Sequence, residues 1–168
     1  MPVFSCGGMR YQQSWQDEEW EKISAENQDR IERCIARSLE LGINHIETAR
    51  GYGSSEVQLG RILPDLPRQD LIVQTKIGPG KAEDFLKTFD LSMSRLRLDH
   101  VDLLAFHGIN TRELLDATLE KGGALEAGRR LQAEGRVKFL GFSTHAACDV
   151  IVDAIETGEF DYVNLHWY

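Results

Sequence analysis

The chain has 168 residues, 42% of them hydrophobic, enough for a domain that buries roughly two-thirds of its unfolded surface. Nineteen Lys and Arg stand against 27 Asp and Glu, for a net charge of −8, which excludes the positive surface that non-specific nucleic-acid or anionic-membrane binding needs. No apolar run approaches the ~18 residues of a membrane span, and no basic segment followed by an apolar one opens the chain.

The expectation is one soluble, cytoplasmic globular domain over residues 1–168. Its cysteines, Cys6, Cys34 and Cys148, are odd in number and widely spaced, with no Cys-x-x-Cys. That suits reduced thiols, mostly small core residues, better than a disulfide framework or a zinc site.

Taken in order, a first strand is predicted at Val3–Ser5. A helix follows from Ala25 to Leu41, with Ile31, Cys34, Ile35 and Leu39 as its apolar stripe and Gly42 at its C-terminal cap. Ile43–Thr48 reads as a strand. Ser54 is placed to cap a short helix running to Leu63, which Pro64 stops. The strand Leu71–Lys76 leads to the helix Ala82–Leu96, with Phe85, Phe89, Ser92, Met93 and Leu96 at helical spacing. Val101–His107, Val137–Ser143 and Tyr162–Trp167 are the remaining strands, with helices at Ala124–Glu134 and Ala147–Glu156 between them.

These strands are short and apolar on both faces, the signature of parallel strands covered on two sides. Strand–helix alternation leaves two α/β architectures. A doubly wound dinucleotide sheet would want G-x-G-x-x-G after its first strand, and Cys6-Gly7-Gly8-Met9 does not supply it. The other is the (β/α)8 barrel, of which about six units are present here, so the fold expected is an incomplete TIM-type barrel.

In parallel α/β folds, functional groups gather at the C-terminal strand ends. Here the second strand finishes in Glu47 and leads to Tyr52. The third ends in Lys76, the fourth in His107 and the fifth in Ser143-Thr144, while the sixth carries Asn164 and His166. A carboxylate, a phenol, an ammonium and an imidazole make a proton-transfer set. A lysine cation beside the phenol would lower its pKa, and such a phenol protonates a carbonyl oxygen as hydride reaches the carbon.

The stretch Gly42-Ile-Asn-His-Ile-Glu-Thr-Ala-Arg-Gly-Tyr-Gly-Ser-Ser-Glu56, with Leu59-Gly60 after it, resembles the pattern G-I-N-x-x-D-T-A-x-x-Y-G-x-S-E…L-G of the aldo-keto reductases. The similarity continues through Gln74-Thr75-Lys76, Asp102–His107, Gly135–Ser143 and Tyr162-Val163-Asn164, in order and over nearly the whole chain. It is nearest to a prokaryotic branch, without the cysteine cluster that some members carry near the C-terminus. The resemblance implies an oxidoreductase that reduces an aldehyde or ketone to an alcohol with NADPH. It makes Tyr52 the general acid, Lys76 the lysine that tunes it, Glu47 the carboxylate that holds Lys76, and His107 the residue that orients the carbonyl. It assigns the cofactor to Gly8 and Met9 in the loop after the first strand, and to Ser143, Thr144 and Asn164 at the nicotinamide carboxamide.

Two departures stand out: Glu47 replaces the family's Asp, and the seventh and eighth strands with their phosphate-binding loops are absent from the sequence. They imply a barrel cut after its sixth strand, weak NADPH binding, and self-association through sheet edges bearing Val3, Phe4, Val163 and Leu165. They also keep open a non-catalytic scaffold with the same fold. A third reading, a metal hydrolase using His107, His166 and Glu47, lacks a His-x-His pair and would set Lys76 against the cation, so no metal is expected.

Overall fold

The computed structural model describes residues 2–165; His166 and Trp167, at the end of the sixth sequence-predicted strand, lie outside the described residues. The strands run in chain order, β1-β2-β3-β4-β5-β6, with parallel pairing and helical connections, the topology of an incomplete (β/α)8 barrel. The chain forms two compact units. One comprises the residues up to Thr75 with Leu91–Asp99, and the other comprises Lys76–Asp90 with the residues from His100 onward.

The first unit holds β1 (Cys6–Gly7), α1 (Ala25–Glu40), β2 (His45–Glu47), α2 (Ser55–Leu59) and most of β3 (Ile72–Ile77). Ser24 caps α1, its Oγ accepting from the Asn27 N–H at 3.2 Å, and Ile31 and Ile35 of α1 are buried, as are Ile46, Leu59 and Val73 of the same unit. The first strand is Cys6–Gly7 rather than Val3–Ser5. Cys6 pairs with Ile46 and Gly7 with Glu47, and β2 begins only at His45, so nothing on β2 lies opposite residues 3 and 4. Val3 and Phe4 are accordingly 93% and 70% exposed.

The helix α2 is shorter than its sequence prediction. Ser54 does not cap it: its hydroxyl donates to Gln58 Oε1 at 2.8 Å and accepts from the Gln13 N–H at 3.2 Å.

The second unit holds the end of β3, β4 (Val101–His107), α4 (Arg112–Leu119), α5 (Ala124–Ala133), β5 (Val137–Thr144), α6 (Cys148–Glu156) and β6 (Tyr162–Leu165), while α3 (Ala82–Leu96) contributes to both units. Six of the seven residues of β4 are buried, as a strand covered on both faces requires. Phe85, Phe106, Phe142 and Phe160 form its aromatic core, with ring centroids 5.0–5.8 Å apart. The helix α4 was missed by its periodicity; its signal is Thr111, whose Oγ1 accepts from the Leu114 N–H at 3.3 Å.

Candidate active site

The sequence-predicted residues divide between the units. Gly8, Met9, Glu47 and Tyr52 belong to the first, and Lys76, His107, Ser143, Thr144 and Asn164 to the second.

In the first unit, β2 delivers a half-buried Glu47 at its C-terminal end, and the Gly8 N–H donates to its Oε2 at 3.3 Å. Gly8 opens a single helical turn, Gly8–Arg10, packed so closely that a Cβ would collide with the Glu47 carbonyl. Thr48 and Ser55 bond through their hydroxyls at 2.8 Å, and Ser55 Oγ donates to the Gly8 carbonyl at 3.2 Å. Met9, in the same turn, is 41% exposed.

Tyr52 stands in the turn between β2 and α2. Its N–H donates to the Ala49 carbonyl and its own carbonyl accepts from Ser55, each at 3.0 Å. Gly53 follows at φ +52°, and Ser14 lies where its Cβ would be. The loop through Ser14 is thereby laid along this turn, and Trp15 meets the Tyr52 ring edge-on with centroids 6.4 Å apart. Burial raises the Tyr52 phenol above its ordinary value, the direction opposite to the lowering expected from the sequence. Desolvation disfavours phenolate.

Behind this turn lies a buried carboxylate whose role sequence reasoning did not identify. Glu56 accepts from Thr75 Oγ1 at 2.7 Å and pairs with Arg50 at 3.3 Å, and Arg50 also pairs with Asp17. Burial still pushes Glu56 up, against the hydrogen bond from Thr75 and the charge of Arg50.

In the second unit, Lys76 is 4% exposed, and burial lowers its ammonium to about 7. His107 is held at about 4, first by burial and then by the charges of Lys76 and His145. His145 was not foreseen. It lies two residues beyond Ser143 and is anchored by its N–H donating to Asn110 Oδ1 at 2.8 Å.

Ser143 closes the β4 exit. Its Oγ accepts from the Gly108 N–H at 3.0 Å, and its carbonyl accepts from the N–H groups of Gly108 and Ile109. Ser143 and Asn164 are register partners on β5 and β6. Thr144 is committed to the loop, donating to the Ile109 carbonyl at 2.6 Å and accepting from the Ala146 N–H at 2.9 Å. Among the described residues no three His, Cys, Asp or Glu side chains are grouped to hold a metal ion, and no helix is long and apolar enough to cross a membrane.

Comparison with known proteins agrees with the motifs. The model of the Aldo/keto reductase family matches residues 4–167. L-galactose dehydrogenase of Arabidopsis thaliana is 35% identical over 142 residues, covering 77% of this chain and 43% of that protein. An NADH-specific methylglyoxal reductase of Escherichia coli is 30% identical over 155 residues, covering 77% of this chain and 46% of the relative. The chain thus spans less than half the length of these two relatives. Among solved structures, a Bacillus halodurans aldo-keto reductase in its holo form superposes with a TM-score of 0.75 at 24% identity, covering 97% of this chain and 52% of that one. A Bombyx mori aldo-keto reductase in complex with NADP does so with a TM-score of 0.66 at 20% identity, covering 93% of this chain and 50% of that one. The chain belongs to the aldo/keto reductase family.

Proposed function

We propose that this chain carries the proton-transfer residues of a carbonyl reductase that uses a nicotinamide hydride donor, NADPH by preference, on a small aldehyde or ketone. The observation that carries the reading is the family match across residues 4–167, with Tyr52, Lys76 and His107 each at its motif position. The nicotinamide, when bound, supplies the hydride.

The remaining work falls to side chains whose protonation suits it. The raised phenol of Tyr52 stays protonated at neutral pH, as a proton donor must. Lys76, near 7, is poised between its two forms, as a group that passes a proton at neutral pH must be, and Glu47 stands at the motif position of the family's carboxylate. His107, near 4, is a neutral imidazole at working pH and offers one N–H to the carbonyl oxygen. The adjacent Ser143 and Asn164 suit a carboxamide, which needs both donor and acceptor. Gly8 and Met9 stand at the motif position of the family's cofactor loop after the first strand. Thr144 enters this site through the loop that it closes.

The test is Tyr52→Phe, with NADPH and NADH compared as donors. Loss of carbonyl reduction by ~10²–10⁴-fold with nicotinamide binding retained supports Tyr52 as general acid. Undiminished turnover overturns it, and nicotinamide binding without turnover in the unmodified chain favours the scaffold reading instead.

A further inference from the structure

A cavity of about 350 Å³ in the first unit lies between β1 and α1, lined in part by Cys6, Tyr11, Arg30, Cys34 and Ser38. Cys6 Sγ accepts from the Tyr11 hydroxyl at 2.6 Å and lies 3.2 Å from Ser38 Oγ. Ser38 follows Cys34 by one turn of α1 and donates to the Cys34 carbonyl at 2.9 Å. Cys34 lines the same cavity as Cys6, and Ser38 links the two, its hydroxyl meeting the Cys6 sulfur and the Cys34 carbonyl. Cys6 is buried and Cys34 exposed, so one sulfur is open to a reagent in solution and the other waits beside it.

We infer that Cys6 and Cys34 are a reversible dithiol–disulfide couple, oxidised by small-molecule disulfides of the glutathione type. Cys34, after releasing its proton, attacks one sulfur of glutathione disulfide, whose S–S bond breaks, and one glutathione leaves and takes up a proton. Cys6 then loses its proton and attacks the Cys34 sulfur, and the second glutathione departs and is protonated. The two cysteine sulfurs together lose two electrons, and one glutathione disulfide becomes two glutathione thiols. Burial and the neighbouring Cys6 raise the Cys34 thiol, so the first step is slow and ring closure, favoured by proximity, is fast. The new bond joins β1 to α1 two residues before Gly8. None of this depends on the reductase reading.

The test is incubation of the intact chain with glutathione disulfide, followed by mass measurement, thiol titration and peptide mapping. The expected product has lost two hydrogens, carries no glutathione, keeps one of its three thiols, and yields a linked pair of Cys6 and Cys34 peptides that dithiothreitol separates. Cys148→Ser leaves that outcome unchanged, and Cys34→Ser, at an exposed position that does not endanger folding, abolishes the linked pair. A lasting glutathione adduct on Cys34 with Cys6 still free, or an intramolecular bond that includes Cys148, overturns the inference.

Discussion

The backbone N–H of Gly8 donates to Oε2 of Glu47 at 3.3 Å, tying the turn after β1 to the last residue of β2. Where the family pattern has Asp, this chain uses the longer side chain to reach an amide that has no Cβ beside it. Glu47→Asp withdraws the carboxylate by about 1.5 Å, the length of one carbon–carbon bond, and breaks the contact. One part-buried hydrogen bond to a charged acceptor is worth ~1.5 kcal/mol, so the thermal midpoint should fall by roughly 3–6 °C. Calorimetry of the two proteins checks this, and an unchanged midpoint would show that the contact contributes nothing.

Gly53 and Gly42 both have positive φ, at +52° and +77°, but only Gly53 has Ser14 and Gln16 where its Cβ would stand, whereas Gly42 faces open space. Gly42→Ala therefore costs the conformational penalty alone, about 1–2 kcal/mol. Gly53→Ala adds a collision with backbone, which cannot rotate away, and should cost about 3 kcal/mol or more. It should also free Trp15 from Tyr52, visible as a change in tryptophan fluorescence. Equal losses of stability in the two variants, by urea titration, would mean that the loop through Ser14 yields without cost.

Much of this arrangement was legible because local chemistry and topology agree. Val101–His107 is apolar throughout, and the structure buries it on both sides; Gly42 stands after α1 in the left-handed region. The strands that carry Glu47, Lys76, His107 and Ser143 could be found by alternation alone. What stayed hidden depends on contacts distant in sequence. Val3–Ser5 has the composition of a strand, but the short β2 leaves it no partner. Ser54 has the chemistry of a cap, but Gln58 and Gln13 engage its hydroxyl first. The expected lowering of the Tyr52 phenol considered charge and omitted burial, which the sequence of a turn does not reveal.

Glu56 gives a pH test. Burial raises its folded pKa above the 4.5 of an unfolded glutamate, so its contribution to stability is fully present below that value and is lost as pH rises through the folded pKa. Glu56→Gln has no charge to bury and should lack this dependence. The stability difference, wild type minus variant, should then fall as pH rises above 4.5 and through the raised folded pKa. Urea titrations at several pH values measure it. A difference that grows with pH would mean that Arg50 and Thr75 outweigh desolvation.

The last prediction couples Lys76 to His107. Lys76 drops from 10.5 in the unfolded chain to about 7, so its contribution is fully present above pH 10.5 and is lost as pH falls through about 7. Stability should therefore rise with pH across that window, and Lys76→Met, which keeps the length and removes the charge, should flatten the rise. The same substitution has a second effect with a separate readout. His107 titrates near 4, where Lys76 is fully protonated, and repulsion between the two cations is one reason the imidazole resists its second proton. Removing that charge should move the His107 midpoint upward, while burial and His145 still hold it below the 6.5 of a free histidine. Proton NMR of the imidazole Cε1–H, assigned with His107→Asn, follows the titration directly. A midpoint that does not move in Lys76→Met would leave burial and His145 as the whole cause, and would remove Lys76 from the electrostatics of His107.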